Sequence, residues 1–464
     1  MVNIKISKGL DIPMKGKPSG STAAPLVPSG HAAPLITPPQ IALSLRAFEE
    51  IKFTVLVKVG DVVKIGQPLA EDKELPGRCF VSPAAGTIKE IRRGLKRVLQ
   101  EIVIDVAPKE DAVAFPPLTI AQVTKEAIVE RLMQGGGFTH IRSRPFNLLA
   151  NPNKPPKCIF VKAIESALCV PPAEMQVAGH EEAFQAGLSA LKKLTEGPIH
   201  LVYRKNTPCK AFSEAQGVEK HTAEGPHPIS NASLHIQKIA PIRSTKDVVW
   251  TVSTIDVITI GYLLTKGRYF TDRIISIAGP GILHGSIGYF KARHGFPIGA
   301  LTAGRLEKGD VRLISGDPLM GHKVEVTDFL GFYDTAFTVI PENTEREFLH
   351  FMGLGAHKYS MSRAYLSGHF NNAHREYNFT TSQHGEHRAF IDNTLIDQVM
   401  PLDVPTMLLV KAVMAEDFDM AEQLGLLEVD TEDFALPTFV CPSKMEMTEI
   451  MKGGLRRYAK EVLV

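Results

Sequence analysis

The stretch Gln134–Phe146 reads QGGGFTHIRSRPF and gathers several groups that could do chemistry. Gly135, Gly136 and Gly137 lack side chains, so their backbone N–H groups can approach a flat or anionic ligand. Arg142 and Arg144 can pair with a phosphate or donate to a carbonyl. Phe138 and Phe146 offer apolar faces, and His140 stands between them. The competing reading is an ordinary helix-ending glycine loop with exposed arginines.

Other motifs carry less. IAGPGILHG, at 277–285, has glycines at the wrong spacing for a dinucleotide fingerprint, with Pro280 inside and no helix after it. It reads as a turn. His369, His374, His384 and His387 lie close together but match no standard metal spacing, so they read as solvated loop histidines and no metal site is expected. The five cysteines, Cys79, Cys158, Cys169, Cys209 and Cys441, form no C-x-x-C pair. An odd number at wide spacing fits a reducing compartment and excludes a conventional cysteine-bound iron–sulfur cluster. Cys441 stands alone before Pro442 and reads as structural.

VKVGDVVKIGQPLAEDKELPGRCFVSPAAGTIKEI, at 57–91, resembles half of a biotinyl or lipoyl carrier domain. Lys73 sits near the position of the modified lysine in such domains. The sequence after it departs from the pattern: the methionine partners of a biotinyl lysine are missing, and Pro76-Gly77 makes its own turn. These domains also serve unmodified as docking modules, so Lys73 is expected to be bare.

The elements that must position these groups fall into blocks. Residues 1–40 include a Pro/Gly/Ser/Ala-rich run that cannot bury a helix face, so it is an extended strap over other domains or disordered. Residues 41–107 alternate apolar and polar between turn signals and predict a compact all-β unit. A proline-rich linker follows. Helical spacing alternates with short strands over 118–245, which predicts a parallel α/β domain. Glycine-punctuated strands predict a smaller β-rich domain with one or two helices over 246–340. Helical spacing restarts at PENTEREFLHFMGLG, 341–355, and the tail TEIMKGGLRRYAKEVLV ends as an amphipathic helix, so 341–464 is read as α-rich.

With 464 residues the chain exceeds one comfortable core; about 150 residues per domain gives about three domains. It is 44% hydrophobic and 22% charged with net charge +2, which argues against nucleic acid as a partner. The opening MVNIKISKGL has no apolar core or cleavage site, so no signal peptide is expected. Val248–Leu264 comes nearest to a membrane span but is short and carries Asp256. Its β-branched residues predict strands, and any membrane role is expected to be peripheral.

Taken in order, IKISKGLDIPMKGKP, VKVGDVVKIGQPLAEDK, SPAAGTIKEIRRGLKRVLQEIVI, IRSRPF, EGPHP, RIISIAGP, VRLISGDPLMG, VMPLDVPTMLL and ALPTFVCPSK resemble the A subunits of the bacterial sodium-translocating NADH:quinone oxidoreductases, essentially end to end. The resemblance implies a multi-domain mix of α/β and all-β structure. Its parts would be a lipoyl/biotinyl-like barrel-sandwich domain, a Rossmann-like α/β domain, a β-grasp-like (SLBB) domain and a mostly helical C-terminal part. It also implies a peripheral subunit on the cytoplasmic face of the inner membrane. The partners would be integral membrane and other subunits of a six-subunit complex, above all the B subunit. NADH, flavins and iron–sulfur centres would lie in those partner subunits.

The family is similar in turn to flavin- and NADH-binding subunits of complex I, whose glycine-rich loop holds FMN. Gly135, Gly136 and Gly137 resemble a shortened form of that loop, and Glu165 keeps part of an acidic signature for the dinucleotide. The implication is a vestigial cofactor loop, with no covalently or tightly bound cofactor in this chain. Ubiquinone or menaquinone is the candidate ligand. A quinone site needs an apolar slot and donors for two carbonyl oxygens. Phe138, His140, Arg142, Arg144 and Phe146 are the expected quinone-proximal residues. No catalytic residue is expected. Readings kept beside this one are a purely structural scaffold and a carrier modified on Lys73.

Overall fold

The computed structural model describes residues 1–27, 37–345, 348, 352–370 and 374–463. Two small antiparallel sheets form the first unit. One holds Gln40–Ser44, Leu99–Val106, Gly86–Arg93 and Val62–Val63; the other holds Phe53–Val55, Pro68–Asp72 and Cys79–Val81. Alternate residues point inward, and Ile41, Leu43, Phe80, Ile88, Ile102 and Ile104 close the sandwich between them.

A seven-stranded sheet forms the second unit. Its parallel centre runs Glu219–Glu224, Ile199–Arg204, Cys158–Ala163, Val249–Ser253 in space, so the first strand in sequence lies between the second and the last. The strands are near-continuous apolar runs, as expected when both faces are covered. Ile159 and Val161 face one core with Phe184, Leu188 and Val257, from helices Glu181–Lys192 and Thr254–Thr265. Cys158 and Phe160 face the other, with Leu234 and the C-terminal helices.

The third unit is a six-stranded sheet built on Asp272–Ala278, Gly288–Arg293, Val311–Ser315 and Ala336–Pro341, with one short helix, Ile298–Thr302. The N-terminal stretch is a strap. Asn3–Lys5 pairs in parallel with Glu219–Glu224, and Ala24–Pro25 adds to the edge of the six-stranded sheet.

Three expectations change. Val248–Leu264 is a strand, Val249–Ser253, followed by a helix, Thr254–Thr265. Because that strand pairs with Cys158–Ala163, the α/β sheet continues past residue 245. In the C-terminal part, the helical reading of 341–355 falls partly on residues outside the described set. The described residues between Pro341 and Thr394 contain only the 3-10 turn Leu366–His369, and α-helices begin at Thr394–Val399. The final helix is present as Met447–Val462.

Candidate functional site

The glycine loop follows helix Lys125–Gln134, whose N-cap Thr124 accepts from the Ala127 N–H. Gly135 caps its end and bonds back to Arg131. Gly136 has φ +76, and a 3-10 turn, Gly137–His140, leads into strand Arg142–Arg144. All three glycines are buried. A Cβ on Gly135 would lie 2.6 Å from Leu263 Cδ1, one on Gly136 2.8 Å from Val81 Cγ2, and one on Gly137 2.5 Å from Leu132 Cδ2. Their missing side chains are used for packing against the barrel and two helices. The space a flavin-type cradle would need is filled, so that cradle does not fit here.

The five residues after the glycines do not share one slot. Phe138 is buried edge-on against Trp250, with ring centroids 6.0 Å apart. His140 places Nδ1 2.6 Å from Asp256 Oδ1 and Nε2 3.0 Å from the Tyr269 hydroxyl. Arg142 pairs with Glu50 of the barrel at 3.3 Å and lies over the ring of Tyr333. Arg144 is buried; it donates to Ser233 Oγ at 2.9 Å and the Glu428 carbonyl at 3.3 Å, with Asp430 at 3.8 Å. Phe146 meets Tyr458 of the last helix. The segment therefore touches the barrel, the α/β unit, the third unit and the C-terminal helices.

A cavity of about 280 Å³ opens at the carboxyl ends of strands Cys158–Ala163 and Val249–Ser253. This is the point in the sheet where chain order reverses, the usual ligand crevice of a doubly wound fold. Glu165 lines it, bonded to Lys162 at 3.1 Å, to the N–H groups of Ser166 and Ala167, and to Ser230. Burial alone would raise the Glu165 carboxyl, but Lys162 and these donors outweigh it and hold it below the ordinary value. Burial pushes Asp317 up to about 6 and Glu432 up to about 7. Glu165, Asp256, Asp317, Asp334 and Glu432 face only Lys162 and Arg273. A pyrophosphate would meet a surplus of carboxylates, so the dinucleotide phosphates do not fit.

Lys73 is exposed, but its backbone N–H bonds to the Lys52 carbonyl and extends the ladder, so it lies beside the hairpin turn at Leu75–Arg78. The Asp72–Arg78 ion pair and the Arg78 bond to the Ala150 carbonyl tie that hairpin to the α/β unit.

Sequence reading missed His200, Glu219 and His221, which adjacent strands bring together; they are the group among the described residues close enough to hold a metal. The Val2 N–H donates to His221 Nδ1, which leaves the His221 proton on Nε2, facing His200 Nδ1 at 3.1 Å. A proton bridges the two rings where a metal would need a lone pair. His384 contacts the Tyr365 hydroxyl at 3.1 Å, and buried Cys441 accepts the Met445 N–H.

A barrel sandwich, a doubly wound α/β unit and a third β unit in that order define a class of multi-domain protein. Residues 4–107 match the NqrA N-terminal barrel-sandwich hybrid domain, 123–269 the NqrA second alpha/beta domain, and 274–326 the NQRA C-terminal domain. The A subunit of the Na(+)-translocating NADH-quinone reductase of Tolumonas auensis is 37% identical over 99% of this chain and 100% of its own length. The corresponding protein of Pasteurella multocida is 38% identical, again over 99% and 100%. That of Chlamydia caviae is 35% identical over 99% of this chain and 97% of its own. The chain belongs to the NqrA family, the A subunits of Na(+)-translocating NADH-quinone reductases. Among the described residues, no helix is long and apolar enough to cross a membrane.

Proposed function

We propose that this chain works as the A subunit of a sodium-pumping NADH–quinone reductase. It is peripheral, on the cytoplasmic face, seated against integral membrane subunits of a six-subunit complex, foremost the B subunit. Ubiquinone or menaquinone is reduced by the complex, and NADH, flavins and iron–sulfur centres belong to partner subunits. The carrying observation is 35–38% identity to such proteins over 99% of the chain.

The geometry refines the role. Arg142, Arg144, His140, Phe138 and Phe146 contact the barrel, the α/β unit, the third unit and the C-terminal helices, which supports a role in holding the shape of the whole chain. This favours a scaffold that supports the quinone site. Membranes depleted of the chain should lose sodium-stimulated NADH–quinone reduction and regain it when the full chain is added back. Undiminished activity in depleted membranes would overturn the proposal.

A further inference from the structure

The hairpin joining barrel strands Gly86–Arg93 and Leu99–Val106 ends in a tip that reads RGLKRV, from Arg93 to Val98. The Gly94 N–H donates to the Val98 carbonyl at 2.8 Å, and the Arg97 N–H donates to the Gly94 carbonyl at 3.1 Å, so the loop closes on itself. Lys96 and Arg97 have φ of +55 and +63. Two consecutive non-glycine residues in the left-handed region are uncommon. They turn the chain back sharply, and every residue from Leu95 to Val98 is left exposed.

Apolar and cationic groups share this tip. Leu95 is 87% exposed and Val98 52%. Scattered exposed aliphatics are ordinary, but these two stand among three exposed cations, Arg93, Lys96 and Arg97. Arg93 donates to the Arg97 carbonyl at 3.2 Å, and none of the three has an ion-pair partner among the described residues. Arg92, one residue below, is different. It pairs with Glu90 at 3.2 Å and Glu101 at 3.0 Å, and it donates to the Thr327 carbonyl of the third unit at 3.0 Å. The foot of the hairpin is thus neutralised and anchored, and the tip is not. Val326, next to that carbonyl, is a further exposed aliphatic. Between Glu90 and Glu101 the sequence holds four cations and no carboxylate.

Unpaired cations beside exposed aliphatics suit a lipid surface. Apolar side chains enter the boundary between headgroups and acyl chains, while Lys and Arg stay level with anionic headgroups. A protein partner fits less well. A stable interface takes about 800 Å² from each side, and lysine is depleted at its core. This tip is short and has no aromatic anchor. Net charge over the whole chain is only +2, so attraction to an anionic surface would be local to this end of the barrel.

We propose that the 93–98 tip rests on the membrane, with Leu95 and Val98 at the acyl boundary and Arg93, Lys96 and Arg97 on the phosphates of anionic phospholipids. The proposal rests on the peripheral placement in the functional reading above and adds the contact surface and the lipid class. A contact this small binds reversibly, so it orients a chain that other subunits also hold.

The test is sedimentation of the full-length chain with vesicles of phosphatidylcholine alone, and of phosphatidylcholine mixed with phosphatidylglycerol. Binding is expected on the mixed vesicles and not on the neutral ones, and salt should weaken it because exposed charges are screened. Arg93→Gln, Lys96→Gln and Arg97→Gln combined should lower partitioning about hundredfold, roughly fivefold for each cation. Leu95→Ser with Val98→Ser should lower it about tenfold. Lys125→Gln, at an exposed helix start in the α/β unit, should bind like the natural chain. Thermal unfolding confirms that each variant is folded. Absence of binding to the mixed vesicles, or undiminished binding in both tip variants, would overturn the assignment. So would tip variants that bind vesicles normally yet fail to restore quinone reduction in depleted membranes, since the tip would then serve a protein partner. A natural chain that restores reduction without binding vesicles refutes the lipid contact alone, whereas its failure to restore reduction refutes the functional reading.

Discussion

His140 and Asp256 meet at 2.6 Å across 116 residues of sequence. Asp256 lies in the first turn of helix Thr254–Thr265, where the helix dipole and the Ser253 cap favour its negative charge. Burial pushes its carboxyl up, but the hydrogen bonds from His140 and Ser253 help pull it below its ordinary value. An ionised Asp256 puts the proton of His140 on Nδ1, so Nε2 accepts from Tyr269. The ring also lies 5.2 Å from that of Phe332, so it joins the glycine loop to the α/β helix and to the third unit.

Replacing His140 with Ala leaves the Asp256 carboxylate without its ring donor. Urea unfolding should show a loss of about 1–3 kcal/mol. The quinone KM of the assembled complex should be unchanged, since the ring touches protein on both sides.

Arg144 predicts a larger effect. Its guanidinium is buried beside Asp430, Ser233 and the Glu428 carbonyl. Arg144→Met strands Asp430 without its cation, and removing one partner of a buried pair costs about 3–5 kcal/mol. Thermal unfolding of the two chains checks this. Arg144→Lys should fall between them, because a lysine keeps the charge and loses the fork.

Glu432 predicts a pH dependence. Burial raises its folded value to about 7 from an ordinary 4.5. Its contribution to stability is therefore full below pH 4.5 and declines as pH rises through about 7. Glu432→Gln should stabilise the chain on the order of 1 kcal/mol at about pH 8, with the gain vanishing by about pH 5. Denaturant melts at the two pH values measure it.

Lys73 predicts a null mass shift. Its backbone is held in the ladder beside Lys52, short of the hairpin turn. Intact mass of the chain isolated from its native host should match the bare sequence. Lys73→Arg should leave quinone reduction within about twofold of the natural chain, the scatter expected of a surface substitution.

Much of the fold was legible because apolar periodicity survives in single elements: the barrel strands, helix Lys125–Gln134 and the last helix follow from it. Val248–Leu264 was not, because Val, Ile and Thr dominate and favour strands. The helix there is stabilised by a contact the local sequence does not show: Gly187 and Gly261 let two helices touch, and a Cβ on Gly261 would lie 1.8 Å from the Ala183 carbonyl. The Ser253-x-x-Asp256 spacing was the available signal of its start. QGGGFTHIRSRPF concentrates chemically able groups in the sequence, but strand alternation sends its side chains to different units. His200 and His221 depend on a pairing between distant segments that no local pattern encodes.

The most direct measurement is affinity isolation of the tagged chain from native membranes, followed by assay of the eluate. Membrane subunits should accompany it, and the eluate should reduce quinone with NADH faster when sodium is added. A chain that emerges alone, or with soluble acyl-transfer or carboxylase enzymes, would contradict the account.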